Sequence, residues 1–241
     1  EEFGRYLGSP CVVAVGSGTQ ALEMAFRLLP QEVVSIPTMT AVATPTAARL
    51  AGKIVEFRDA LRNAFEDVVV HLYGKPAFGY SLIEDCAQAC GAETEGPNVA
   101  PWKVGTFGKF GCFSFYPTKN LSCLGDGGAV VVKHESEWRA LLRMREYGWS
   151  EDRNESLTLG GNYRMDEIQA AILRVKLRYL DAENEKRREI AKSYLTAFKD
   201  LDMLLPEEVP RAKSAYNLFV IRVKNRDDVL ERVWTMGIRC G

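Results

Sequence analysis

The chain has 241 residues, with 31 Lys and Arg against 32 Asp and Glu, so its near-zero net charge gives no electrostatic reason to expect nucleic acid or a membrane surface as partner. That length buries a substantial core, as one large domain or one domain with a smaller companion. No apolar run reaches the roughly 18 residues that span a bilayer, and the opening EEFGRYLGSP lacks the basic and apolar regions of a secretory signal. The six Cys lie mostly in apolar stretches, which suits reduced thiols in a cytoplasmic protein, and Cys86 and Cys90 have no second ligand pair that would make them a metal site.

In chain order, CVVAV (11–15) reads as a strand and TQALEMAFRLL (19–29) as a helix with Leu22, Ala25, Phe26 and Leu29 on one face. EVVSIP is a second strand. TPTAARLAG reads as a helix with Thr44 as N-cap, Pro45 in its first turn and Gly52 closing it. KIVEF, DVVVHLY and SLIED are further strands, short, apolar and mostly β-branched. Such unalternating runs indicate a sheet buried on both faces, hence an α/β fold. The link KPAFGY is short for a crossover between parallel strands. GCFSFY and GGAVVVK form a strand pair around a loop. From Met165 to about Leu201 the pattern is helical, with Met165, Ile168, Ile172 and Val175 at helical spacing, and then charged and amphipathic. AYNLFVIRVK and RDDVLERVWTMG supply a late strand and helix. The expected division is a large domain over 1–200 and the start of a smaller one over 201–241.

Three stretches carry chemistry. In VGSGTQALEMAF, Gly16, Gly18 and Ala21 satisfy the relaxed glycine pattern of dinucleotide-binding folds. Such a fold needs an acid at the end of the next strand, but EVVSIP runs into Pro37 and Thr38. What survives is an anion site: Ser17, Gly18 and Thr19 offer N–H groups and hydroxyls at a helix N-terminus. A plain N-cap by Ser17 or Thr19 is the alternative. In LIEDCAQACGA a strand delivers Glu84 and Asp85 at its C-terminal end, where a carboxylate can pair with a cationic ring nitrogen and Gln88 can add a neutral hydrogen bond. The alternative there is that Asp85 caps a following helix. In GCFSFYPTKNLSCLGDGG, Lys119 sits among Phe113, Phe115, Tyr116, Pro117 and Leu121, a setting that desolvates an ammonium and favours Schiff-base chemistry. Ser114 and Thr118 offer hydroxyls to a phosphate. One ligand fits a phosphate at a helix N-terminus, a pyridinium on a strand-end Asp and an aldehyde on a Lys: pyridoxal 5'-phosphate.

With those residues in place, VGSGTQALEMAFRLL, EDCAQACGA, FGCFSFYPTKNLSCLGDGGAVVV, REYGW and GNYRMDEIQAAILRVKL resemble, in matching order from about Tyr6 to Gly237, the DegT/DnrJ/EryC1/StrS sugar aminotransferases. The resemblance implies a fold-type I pyridoxal-phosphate transferase, aspartate aminotransferase-like, with a mixed, mostly parallel central sheet between helices and the start of a smaller α+β C-terminal domain. It implies Lys119 as the lysine that holds the cofactor aldehyde and moves the proton. It implies Asp85 as the partner of the ring nitrogen, Gln88 on the ring oxygen, and Gly18, Thr19 and Ser114 as phosphate ligands. Asn162 resembles the residue that reaches the phosphate from a neighbouring subunit, which implies a homodimer with shared sites; a plain helix-entry turn is its alternative.

The implied reaction moves an amino group from glutamate, leaving 2-oxoglutarate, to the keto group of a nucleotide-linked sugar. REYGW reads most like relatives acting on dTDP-linked 3-ketosugars. A dehydratase branch replaces the lysine by His, so Lys119 favours transamination. The alternative from another class is a protein of this fold that binds cofactor or a partner without turnover; the presence of Lys119, Asp85 and Gln88 together argues against it. Ala41 stands where the family usually has an aromatic residue that stacks on the cofactor ring. Compared with the family's longer subunits, the chain is short on both sides of DVVVHLYG and reaches GIRCG with the second domain barely begun.

Overall fold

The computed structural model describes residues 1–59, 66–77, 81–94, 102–207 and 209–240. In chain order its elements are α1 (Glu2–Leu7), β1 (Cys11–Val15), α2 (Gly18–Arg27), β2 (Val33–Pro37), α3 (Ala43–Leu50), β3 (Ile54–Arg58), β4 (Glu66–Val70), β5 (Ser81–Asp85), β6 (Glu93–Thr94), β7 (Trp102–Lys103), β8 (Phe110–Ser114) and β9 (Gly128–Val132). They continue with α4 (Glu135–Arg145), α5 (Glu167–Leu177), α6 (Leu180–Phe198), β10 (Ala212–Lys213) and α7 (Arg226–Thr235).

The main sheet runs β1-β9-β8-β5-β4. β4, β5 and β8 are parallel to one another; β9 pairs antiparallel with β8, and β1 pairs antiparallel with β9 and so runs in the common direction. β2 and β3 form a separate parallel pair. The gap between that pair and β4 is closed by side chains: Asp67 Oδ2 accepts from the Ser35 N–H at 2.8 Å and the Ser35 hydroxyl at 2.9 Å, while the Asp67 N–H donates to Ser35 Oγ at 3.1 Å. The short links flagged in the sequence include residues 60–65 and 78–80, which lie outside the described residues; β4 and β5 pair in parallel across the second of them.

β8 and β9 serve two cores because successive side chains point to opposite faces. Val130 and Val132 of β9, with Phe110 and Cys112 of β8, join Val13, Val15, Ile83 and the buried face of α2 on one side. Ala129, Val131 and Phe113 join Leu7, Leu121, Leu173 and Leu180 on the other. Burial on both faces is what an unalternating apolar strand requires, and the α/β class with a mixed, mostly parallel sheet is borne out. The dinucleotide reading fails on topology. β1 lies antiparallel to β9, and β2 pairs with β3, so the strand before the glycine turn and the strand after its helix are not the adjacent parallel pair that a dinucleotide site needs.

Three local expectations are corrected. Thr44 is not an N-cap: Val42 takes that position, and Thr44 lies inside α3, fully buried, with its hydroxyl directed at another strand's carboxylate. No helix follows Asp85; residues 86–92 form turns. AYNLFVIRVK is not a strand. Its backbone is engaged singly instead, with the Ala215 N–H on Gly74 O at 2.8 Å, the Leu218 N–H on Tyr73 O at 3.3 Å, and only an isolated bridge between Leu204 and Arg222. The two helices between Met165 and Leu201 form as α5 and α6.

The side-chain join between β2 and β4 yields a test. Asp67→Ala removes the two hydrogen bonds its carboxylate accepts and leaves the buried Ser35 N–H without its acceptor, so it should lower unfolding stability by about 1–3 kcal/mol. Urea denaturation of the variant beside the parent measures this.

Candidate active site

The site is built where the C-terminal ends of β5 and β8 meet the N-terminus of α2. Ser17 caps α2 in extended backbone, its hydroxyl accepting from the Gln20 N–H at 3.1 Å. The N–H groups of Gly18 and Thr19, in the first turn, have no acceptor within the helix. Cap and anion site are therefore compatible, because they use different donors. Gly18 lies so close to the end of β8 that an added Cβ would stand 2.6 Å from Ser114 Cβ. Across the sheet, a Cβ at Gly128 would meet the Ser17 carbonyl oxygen at 2.4 Å. Glycine at both positions lets the helix end settle onto the strands and sets Gly18, with Thr19 next to it in the chain, against Ser114, which is half-buried.

Asp85 ends β5 and is buried. Its Oδ1 accepts from the Ala87 N–H at 3.0 Å, an Asx turn in place of the helix cap that was the alternative reading. Its Oδ2 accepts from the Thr44 hydroxyl at 2.8 Å. Burial raises the carboxyl above its ordinary range; the Ala87 N–H, the Thr44 hydroxyl and the Lys119 charge work against that rise. Lys119 is half-buried in the loop after β8. Burial lowers its ammonium below the ordinary lysine range, partly offset by attraction to Asp85.

The neighbours of Lys119 are held by an asparagine network that sequence reading missed. Asn120 Nδ2 donates to Asn184 Oδ1 at 2.7 Å and to Ala215 O at 2.8 Å, while Asn217 Nδ2 donates to Asn120 Oδ1 at 2.9 Å and to Thr118 O at 3.2 Å. Asn184, fully buried on α6, donates in turn to Cys90 O at 3.0 Å. Gln88 Oε1 accepts from the Tyr73 N–H at 2.6 Å, which leaves the amide NH2 as its donor end. Tyr73 holds this contact in left-handed backbone (φ 62), an uncommon conformation for a residue with a side chain.

Glu84, the neighbour of Asp85, turns to the opposite face. Its two oxygens accept from the N–H groups of Gly105 (2.8 Å), Phe107 (2.7 Å) and Gly108 (2.7 Å) and from His71 Nε2 (3.0 Å). His71 Nδ1 accepts from the Ala77 N–H at 3.0 Å, which fixes the proton on Nε2. Burial alone would raise the Glu84 carboxyl; the hydrogen bond from His71 and those from the loop N–H groups outweigh it and hold Glu84 below the ordinary glutamate range. His71, Glu84 and Cys86 lie close enough to suggest metal ligands, but the ring nitrogens and the carboxylate already serve this staple, and the Cys86 thiol donates to Glu84 O at 3.7 Å.

Of the predicted residues, the structure brings Gly18, Thr19 and Ser114 together, and sets Asp85 within electrostatic reach of Lys119, with Gln88 three residues beyond Asp85. It does not bring Asn162 to them. Asn162 is exposed and makes no side-chain hydrogen bond among the described residues, although its neighbour Tyr163 accepts from the Gly16 N–H at 2.8 Å. Ala41 is also exposed, and no aromatic ring stands in its segment.

A family model described as the DegT/DnrJ/EryC1/StrS aminotransferase family matches residues 1–72 and 68–241. The erythromycin biosynthesis sensory transduction protein EryC1 of Saccharopolyspora erythraea is 37% identical, over 99% of this chain and 72% of its own length. The dTDP-3-amino-3,4,6-trideoxy-alpha-D-glucose transaminase of Streptomyces venezuelae is 34% identical, over 98% of this chain and 69% of its own. Among solved structures, S. venezuelae DesV in complex with a ketimine intermediate superposes with a TM-score of 0.89 at 32% identity, over 99% of this chain and 71% of that one.

The Glu84 staple predicts an acid-dependent stability. Because its carboxyl is held down in the folded chain, its contribution is present above the pKa of the unfolded chain and is lost as pH falls through the lower folded value. Glu84→Gln should cost about 3 kcal/mol at neutral pH, and the gap from the parent should close in acid. Urea denaturation at a series of pH values reads both.

Proposed function

Because this chain belongs to the DegT/DnrJ/EryC1/StrS aminotransferase family, we propose that it transfers an amino group from glutamate to the keto group of a nucleotide-linked deoxysugar, with dTDP as the nucleotide. The observation that carries this reading is the buried Asp85 within electrostatic reach of a half-buried Lys119 whose ammonium is lowered. The cofactor of the family is pyridoxal 5'-phosphate, and the residues present fit it. Gly18 packs against Ser114 so closely that any Cβ would clash, which sets the anion-donating N–H groups of the α2 N-terminus beside the Ser114 hydroxyl. Bound there, the cofactor supplies a carbonyl that condenses with amines and a ring that withdraws electrons.

On this reading each residue has a defined task. Gly18, Thr19 and Ser114 hold the phosphate. Asp85, ionised, keeps a proton on the ring nitrogen and is relieved of its burial penalty by that positive charge. The free NH2 of Gln88 donates to the ring oxygen. Lys119 Nζ holds the cofactor aldehyde at rest and carries the proton during transfer; its lowered ammonium leaves more of the free amine that both tasks need. Residues 1–200 form the cofactor domain and 201–241 the start of a smaller one. A groove of about 940 Å³ borders Tyr73 and Met39 and carries six Lys and Arg side chains, Arg188 and Arg222 among them, against three glutamates. Its positive excess suits a nucleotide diphosphate.

A homodimer with shared sites is part of the proposal. Ile168, Val175 and Tyr179 lie on one face of α5 and its end, 73%, 55% and 61% exposed, where a partner would cover them. The exposed Asn162 would then serve the partner's phosphate.

Two experiments test this. The protein mixed with pyridoxal phosphate should turn yellow, lose the colour on adding glutamate and release 2-oxoglutarate, whereas Lys119→Ala should do none of these. Colour that glutamate leaves unchanged would instead establish cofactor binding without turnover. Second, Lys119→Ala and Asn162→Ala should each be inactive alone, yet recover up to about a quarter of parental activity after subunit exchange, because a mixed dimer holds one intact site. No recovery in demonstrated mixed dimers would refute sharing.

A further inference from the structure

Thr44 does something that neither its sequence context nor its helix explains. It is fully buried in the first turn of α3, and its hydroxyl lies 2.8 Å from Asp85 Oδ2 and 2.8 Å from Thr40 Oγ1. A hydroxyl has one proton to give, and an ionised carboxylate only accepts. Thr44 therefore donates to Asp85, and Thr40 donates to Thr44. The result is a directed chain, Thr40 to Thr44 to Asp85, in which each bond polarises the next. Neither hydroxyl is needed for the helix, whose N-cap is Val42.

We propose that Thr44 is the positioning residue for Asp85, and that Thr40 orients it: the relay holds the carboxylate ionised and aimed at the cofactor's ring nitrogen. This rests on the reading of Asp85 given above. Asp85 needs such help. Lys119, Cys86 and Cys112 lie around it, with the His71–Glu84 pair on the other face of the sheet, and of these Lys119 most favours its charge. Among the described residues, its two oxygens accept hydrogen bonds from Thr44 and Ala87 alone. Ala87 is a backbone donor one turn away on Asp85's own segment, whereas Thr44 comes from a separate helix. It thus fixes the carboxylate in space as well as in charge. Without the hydroxyl, burial pushes the group toward a neutral acid, which no longer keeps the ring nitrogen protonated.

The test uses Thr44→Val, which keeps the shape and removes the donor, and Thr44→Ser, which keeps the donor. In the cofactor-free protein, the infrared carbonyl band of protonated Asp85, assigned by its loss in Asp85→Asn, should appear at higher pH in Thr44→Val than in the parent. In the loaded protein, Thr44→Val should weaken pyridoxal phosphate binding about tenfold, read by tryptophan fluorescence, and lower kcat with little change in KM. Thr44→Ser should restore both. Thr40→Val, which removes only the outer donor, should move the band the same way by less, and it keeps the question answerable if Thr44→Val folds poorly. Parental band position and affinity in Thr44→Val would overturn the proposal, as would equal damage from Val and Ser. A parent that binds no pyridoxal phosphate would instead sink the reading of Asp85 itself.

Discussion

The register between β5 and β8 is the constraint on which the site depends. Ile83, Glu84 and Asp85 stand opposite Phe110, Gly111 and Cys112, so the two acids at the end of β5 go to opposite faces of the sheet. A slip of one residue would exchange them, placing Glu84 toward Lys119 and Asp85 among the N–H groups of residues 105–108. The neighbouring glycines make only the observed register possible. A Cβ at Gly111 would stand 2.1 Å from the Gly105 carbonyl oxygen, so the 105–108 loop folds onto β8 at a distance that only glycine permits. That close approach presents the loop's N–H groups to Glu84 and leaves Asp85 facing the other way.

The two buried acids then behave oppositely, for a countable reason. Glu84 accepts three backbone N–H groups and a histidine N–H, and these outweigh its burial. Asp85 accepts one N–H and one hydroxyl, and burial wins. A carboxylate with its capacity filled is a structural staple. One with spare capacity and an uncompensated burial cost is stabilised by an incoming cation, which is what a protonated ring nitrogen provides. Glu84 makes the frame rigid by being satisfied, and Asp85 is available for chemistry because it is not.

How far this was legible in the letters follows the range of the interactions. The strands of the main sheet and the helices α2, α5 and α6 came from local pattern, since burial on two faces or one writes itself into successive side chains. Asp85, Gln88 and Lys119 can be proposed from the letters because their placement at strand ends and among aromatics is also local. Thr44 was misread because Thr-Pro at the start of an apolar run is a strong cap signal, while its real partner is 41 residues away. Asn120, Asn184 and Asn217 gave no signal, because an asparagine in a loop or a polar helix looks like a solvated residue until its distant partner is known. AYNLFVIRVK looked like a strand on β-propensity alone. Propensity describes a side chain's fit to a pleated surface and does not say whether a neighbouring strand exists.

That last segment shows why the late part of the described chain belongs to the site and not merely beside it. The 214–218 backbone lies across Tyr73 and Gly74, where a Cβ at Gly74 would come within 2.8 Å of the Tyr216 and Asn217 nitrogens. Tyr73 in turn anchors Gln88, and Asn217 reaches over to Thr118 and Asn120 on either side of Lys119. From α6, Arg187 donates to the carbonyls of Tyr216 and Asn217 at 3.3 and 3.4 Å, fixing the segment from behind. A regular strand would have committed these backbone groups to a ladder. Left irregular, they tie the amide donor of Gln88 and the amine of Lys119 to one short stretch of chain, so that the geometry of both is set by a segment far from either in sequence.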